Sequence, residues 1–160
     1  MIVYHGGTDE IKAPVIRFSS SSRDFGKGFY CTDIRNQAER WAIRQGRIRR
    51  KTSILNLYDF NLEKAKIDLN IKIFTDYIID WLELIIKCRK DLNYKHNFDI
   101  VYGKIANDDV GETVQAVING LMPPDFALQK LNFMHANNQY CFCTEESLTY
   151  IKYIESVKLE

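Results

Sequence analysis

Strand-like and helix-like stretches follow one another irregularly along this chain, and that irregularity limits its fold more than any other feature. Short β-prone pieces at residues 2–5, 29–32, 52–60, 98–102 and 138–143 are separated by connections of very uneven length. A doubly wound parallel sheet needs regular strand–helix alternation, and a dinucleotide version adds a glycine-rich phosphate loop after its first strand. Neither pattern is present. The expectation is an α+β fold built on mostly antiparallel sheets, as one domain over residues 1–160. A chain of this length buries roughly 70% of its extended surface, so it needs no metal or disulfide staple.

The clearest helix runs over 74–90. Ile78, Trp81, Leu82, Ile85 and Cys88 fall on one stripe, with Asp80, Glu83, Lys87 and Lys90 turned away. Asp33 reads as the N-cap of an earlier helix that ends near Arg44 and carries Ile34, Ala38, Trp41 and Ala42 on one face. A helix over 110–119 closes on Gly120, and Pro123-Pro124 opens another. Thr144 caps a last helix with an apolar stripe of Leu148, Ile151 and Ile154, and Glu146 stands in an imperfect capping box. The serines at 19–22 and the glycines that follow make a loop.

The formal net charge is +1, which argues against a dedicated nucleic-acid clamp. One local run departs from that balance. Arg44, Arg47, Arg49, Arg50 and Lys51 include no acid among them. The run is either a solvated helix end or a docking patch for an acidic target. No secretory pattern opens the sequence and no apolar run reaches ~20 residues, so the expected setting is cytoplasmic, without a membrane. Cys31, Cys88, Cys141 and Cys143 form no Cys-x-x-Cys pair, and His5, His96 and His135 are scattered, so no metal site is expected. Cys141 and Cys143 would share one strand face as small buried hydrophobes.

Three islands carry the chemistry. Tyr4-His5-Gly6 ends the first strand, Gly26-Lys27-Gly28-Phe29-Tyr30 leads to Asp33, and Asn138-Gln139-Tyr140 opens a late strand. In this order they resemble the catalytic domain of poly(ADP-ribose) polymerases, the diphtheria-toxin-like branch of the ADP-ribosyltransferases. Small bacterial proteins with the same combination are similar too. The resemblance implies two packed, mostly antiparallel sheets around an NAD cleft, with helices at the edges. It implies NAD as substrate. His5 would bond the adenine-side ribose, Gly6 would hold the nicotinamide carboxamide, and Tyr30 would stack on the nicotinamide ring. Lys27 and Gly28 belong to the loop that would cover NAD. The family's second stacking aromatic lies eleven positions beyond the tyrosine, which is Trp41 here. Trp41 is either that plate or ordinary helix packing.

Two positions depart from the family. Ala38 replaces a serine that helps hold the carboxamide, and Gln139 replaces the catalytic glutamate. That glutamate bonds the nicotinamide-side ribose and stabilises an oxocarbenium-like transition state. Gln139 keeps the shape and can still accept a bond, but it carries no charge and cannot act as a base. Chain elongation is therefore not expected. A substitute carboxylate could come from the 107–109 segment, where Asn107 and Asp108 are possible accessory residues and one of Asp108 and Asp109 caps a helix. Asp24 beside the nicotinamide loop is another candidate. Glu145 and Glu146 read as first-turn acids.

The resemblance thus implies an NAD-dependent mono-ADP-ribosyltransferase with His5, Tyr30 and Gln139 at its catalytic centre. Its acceptor would be a protein or a nucleic acid. By analogy it would be a bacterial toxin with an antitoxin partner. The alternatives are a catalytically weakened NAD-binding module and an NAD glycohydrolase. All of them require His5, Tyr30 and Gln139 to converge.

Overall fold

The computed structural model describes residues 1–16, 23–105, 108–132 and 137–160, with backbone alone at 108 and 109. The serines at 19–22, His135 and Asn107 lie outside the described residues.

Two sheets stack face to face. The first has the order β1 (Ile2–Gly7), β3 (Ser53–Phe60), β7 (Ile151–Leu159), antiparallel throughout. The second runs β2 (Phe29–Cys31), β6 (Asn138–Phe142), β5 (Ile100–Lys104), β4 (Ile71–Ile73), and only its β4–β5 pair is parallel. Among the described residues six helices complete an α+β fold: α1 (Arg35–Arg49), α2 (Leu62–Asp68), α3 (Ile79–Lys90), α4 (Asp108–Ile118), α5 (Pro124–Leu131) and α6 (Glu145–Leu148).

The two-residue period of the strands assigns each face. Tyr140 and Phe142 of β6 pack between the sheets with Val3, Phe29, Tyr58 and Phe60, while Cys141 turns to the helices behind. There Trp81, Leu82 and Ile85 of α3 meet Val114 of α4 and Leu131 of α5. The buried Trp81 indole N–H donates to the Lys104 carbonyl at 3.0 Å, so its polar atom is satisfied. On the outer face of the first sheet, α1 lays Ala38 on Leu55 and Leu57. The central strand β3 is thus covered on both sides, which explains its near-continuous burial from Ile54 to Tyr58.

Helix α1 lies unusually close to the first sheet. A Cβ at Gly6 would overlap the Ala38 carbonyl oxygen and stand 3.0 Å from the Ala42 nitrogen. Glycine is needed at that position for helix–strand packing.

Several local expectations are corrected. Asp33 does not cap α1: the N-cap residue is Ile34, with no side-chain bond. Asp33 instead accepts the Tyr102 hydroxyl at 3.3 Å, while Thr32 Oγ1 accepts the Ile34 N–H. α1 continues five residues past Arg44, to Arg49. α3 begins only at Ile79. Ile78 is 44% exposed, in extended backbone, and Phe74 and Tyr77 are buried ahead of the helix. The expected last helix stops at Leu148, and Ile151 and Ile154 belong to the long strand β7. The capping box of α6 joins Thr144 to Ser147. Among the described residues no helix is long and apolar enough to cross a membrane.

Candidate functional site

The two sheets are joined at one edge. Tyr4 and Thr32 form an isolated antiparallel bridge, with Tyr4 N–H donating to Thr32 O at 2.8 Å and Thr32 N–H to Tyr4 O at 2.9 Å. Past this bridge lies a cleft of about 790 Å³ between β1, β2, the start of β6 and the side of α1. His5 and Gly6 of β1, Tyr30 of β2 and Gln139 of β6 all line it. The three residues expected to converge therefore do so, although they are spread over more than a hundred positions of sequence.

Each side chain is held by a specific contact. The His5 Nδ1 lies 2.7 Å from the Tyr30 carbonyl oxygen, so Nδ1 carries the proton and, in the neutral ring, Nε2 is the acceptor. The ring stacks on Phe29 at 4.7 Å. The Tyr30 hydroxyl donates to Gly26 O at 2.5 Å and accepts the Phe25 N–H at 3.2 Å. It thereby ties down the turn in which Gly26 adopts φ +80°, a backbone region that suits glycine. Burial, and then the neighbouring Cys141, push the Tyr30 phenol well above its ordinary range, so the hydroxyl stays protonated.

Gln139 has a carboxylate neighbour. Its Nε2 donates to Asp24 Oδ2 at 3.3 Å. Asp24 is buried, and its Oδ1 accepts Arg89 Nη2 at 2.6 Å and Nε at 3.1 Å. Arg89 lies in the last turn of α3, so the pair pins the Asp24 loop to the helix layer. Of the proposed substitute carboxylates, Asp24 is the one seen in the cleft. Asn107 lies outside the described residues, and of Asp108 only the backbone, at the start of α4, is described. Glu145 instead accepts the Ile16 N–H at the far end of β6.

Trp41 is 49% exposed on the cleft side of α1, with the Arg44 guanidinium 5.8 Å from its ring centre. The packing alternative for this residue is thereby overturned: Ala38, Ala42 and Gly46 form the buried face of α1. Lys27 and Gly28 do not line the cleft. Lys27 is exposed, and Gly28 is required by β6, because a Cβ there would stand 2.6 Å from the Phe142 carbonyl oxygen.

A family model described as a protein of unknown function, DUF3990, matches residues 1–153. The chain belongs to DUF3990. No curated protein and no solved structure matches it. The matched span of this DUF3990 chain includes every element that lines the cleft.

The DUF3990 cleft also contains Gln37, Arg23 and Arg40, which sequence reasoning did not select, and Arg44 from the basic run. Gln37 of α1 donates its Nε2 to Asn138 O at 2.9 Å, and its buried Oε1 has no partner. An orphaned acceptor at a cleft wall calls for a donor on whatever binds there. Arg23, Arg40 and Arg44 give one side of the cleft a positive charge, and the Arg23 guanidinium lies 5.3 Å from the Tyr30 ring centre. The cue for Gln37 was weak: one polar residue beside Ala38, without a motif of its own.

Proposed function

We propose that this protein is an NAD-dependent mono-ADP-ribosyltransferase of the poly(ADP-ribose) polymerase-like fold, acting on a macromolecular acceptor. The observation that carries the reading is one cleft holding His5, Tyr30, Gln139 and Asp24, at the bridge between two antiparallel sheets. NAD suits the residues present. Tyr30 and Trp41 offer two aromatic surfaces for a flat ring. Three arginines face a diphosphate. The orphaned Gln37 Oε1 is an acceptor suited to a carboxamide N–H.

NAD supplies an ADP-ribosyl group when the bond from nicotinamide nitrogen to ribose carbon breaks and an acceptor nucleophile bonds that carbon. The nitrogen keeps the electron pair, and the nucleophile's proton goes to solvent water. His5, through Nε2, accepts a ribose hydroxyl. Gln139 orients the second ribose with its Oε1 while its Nε2 stays on Asp24. Asp24 supplies the negative charge that Gln139 lacks, at one remove. Its own pairing with Arg89 limits that charge, and this favours a second reading, an NAD-binding module with weak turnover.

The test is to incubate the purified protein with NAD labelled on the adenylate and a bacterial lysate, and to follow nicotinamide release and label transfer. Transfer with release is the expected result, and Asp24→Asn should lower both at least tenfold while the NAD-induced thermal shift persists. Release without transfer selects the glycohydrolase. A thermal shift with neither selects the binding module. No shift and no release refute the NAD reading.

A further inference from the structure

The charge of this molecule is concentrated on one helix. Residues 35–51 carry seven cations and one acid, +6, so the remaining residues sum to −5 against the total of +1. The small net charge conceals this separation. Arg40, Arg44 and Arg47 stand at i, i+4 and i+7 of α1, and Arg50 follows at the helix end, next to Lys51, which pairs with Asp9 at 3.7 Å. The four arginines are exposed, and the three on the helix lie opposite the buried Ala38, Ala42 and Gly46.

The stripe connects two hollows. Arg40 and Arg44 line the cleft rim, while Arg47, Arg50 and Lys51 line a second, shallower depression of about 800 Å³ at the end of α1, where Asp9 and Glu160 are the acids. From Arg40 to Arg50 the rise along α1 is about 15 Å. The helix dipole accounts for cations in the last turn, Arg47 and Arg49, but not for Arg40 and Arg44 at mid-helix. Arg50 adds a second anomaly. It occupies the left-handed region at φ 53°, ψ 45°, a helix-ending position that glycine fills without steric cost. The half-exposed Trp41 ring flanks the stripe beside Arg44.

Exposed arginines in a line and an accessible indole match one kind of polymer. We propose that the α1 stripe is a docking track for a single-stranded polynucleotide. The backbone phosphates follow Arg40, Arg44, Arg47 and Arg50, and an unstacked base rests on Trp41 at the mouth of the cleft. A duplex keeps its bases stacked and denies Trp41 its partner. An acidic polypeptide does not carry a ring on each charged unit, as a polynucleotide does. The inference rests on the proposed function in making the polymer the acceptor; because Arg40, Arg44 and Trp41 also border the proposed NAD site, the binding is measured in the absence of NAD.

Fluorescence anisotropy of the full chain with labelled oligouridylate or oligothymidylate of ~12 nucleotides tests it. Four phosphate contacts predict that log K falls against log salt with a slope of about −3 for a single strand. Arg47→Glu with Arg50→Glu should weaken binding more than tenfold and remove at least about 1.4 from the slope. Because neither residue lines the NAD cleft, the NAD-induced thermal shift should be unchanged. Arg50→Gly suits the left-handed backbone, so a loss of affinity with undiminished stability separates charge from folding. Trp41→Ala should cost about tenfold.

Three results would each overturn the track: no binding at low salt, binding indifferent to the double variant, or equal or tighter binding of a duplex or of polyglutamate. Oligonucleotide binding without nicotinamide release or an NAD shift would retain the track and remove the transferase. Nicotinamide release without oligonucleotide binding would do the reverse.

Discussion

Gln139→Glu installs the residue that poly(ADP-ribose) polymerases carry, and in this chain it should be destabilising. Gln139 Nε2 lies 3.3 Å from Asp24 Oδ2. An isosteric glutamate places an anionic oxygen there. Two unit charges at that distance repel by about 5 kcal/mol at an effective dielectric constant of ~20. The Arg89 guanidinium, on the other oxygen of Asp24, attracts both carboxylates and offsets part of this. The alternative to repulsion is protonation of one carboxyl, which from an ordinary glutamate pKa of ~4.3 costs about 5 kcal/mol at pH 8 but about 1 kcal/mol at pH 5. The pair holds its shared proton more tightly when folded than when unfolded. The penalty therefore grows as pH rises from about 4 and levels off above the raised folded-state value. We expect the variant to lose about 2–3 kcal/mol at pH 8 and under about 1 kcal/mol at pH 5. Urea unfolding of variant and parent, paired at each pH, removes the titration of all other groups. An equal loss at both pH values, or none, would refute the Gln139–Asp24 contact and with it the role given to Asp24.

Two further outcomes follow from packing and burial. Gly6→Ala forces a methyl group into the Ala38 carbonyl, where both partners are backbone, so it should cost about 3 kcal/mol, at the upper end for overpacking. An urea midpoint within error of the parent would show that α1 can move off β1. Raising pH from about 9 to 12 should destabilise the fold. Burial pushes the Cys88 thiol up to about 12 and the Tyr102 phenol, whose next cause is Asp33, to about 12. Their unfolded forms lose protons first, from about 8.5 and 10, so stability present below pH 8 is lost across this window. Unfolding midpoints at pH 8, 10 and 11 read the trend, and a flat profile would contradict the burial of these groups.

The core was legible where one period held. Trp81, Leu82, Ile85 and Cys88 kept a single helical stripe and are buried behind the second sheet. The strand pieces near Ile2, Phe29, Ser53, Ile100 and Asn138 all formed. Legibility failed where two periods overlapped. Leu148, Ile151 and Ile154 are spaced like a helix, yet Thr149 ends α6 and β7 begins two residues later. Tyr58 pairs with Tyr153 and Leu57 with Glu155, so Ile154 is the extra residue of a bulge. The bulge also switches faces: Ile151 and Tyr153 join the inter-sheet core, while Val157 and Leu159 join the α1 side. A uniform alternation was therefore never present to be read. Asp33 failed for a different reason. Capping preference is local, and the Tyr102 hydroxyl, 69 residues away, took its carboxylate.

The glycines that made the motif recognisable do not carry the chemistry of the cleft. Gly6 is fixed by the backbone of α1, Gly28 by β6, and Gly26 by its own left-handed turn. Each would be required with or without NAD. What distinguishes the cleft is a set of polar groups whose placement costs stability or leaves bonding capacity unused. Gln37 Oε1 has no partner, Asp24 is buried beside a neutral amide, and Trp41 stands half exposed at the rim. Buried polar atoms without partners are rare in folded proteins, and a half-exposed indole leaves about half of its apolar surface in water. The Arg89 pair accounts for the buried Asp24, whereas a binding site accounts for the Gln37 acceptor and the half-exposed Trp41. That distinction adds Gln37 and Trp41 to the residues on which the functional argument rests, and leaves the motif glycines as determinants of the fold.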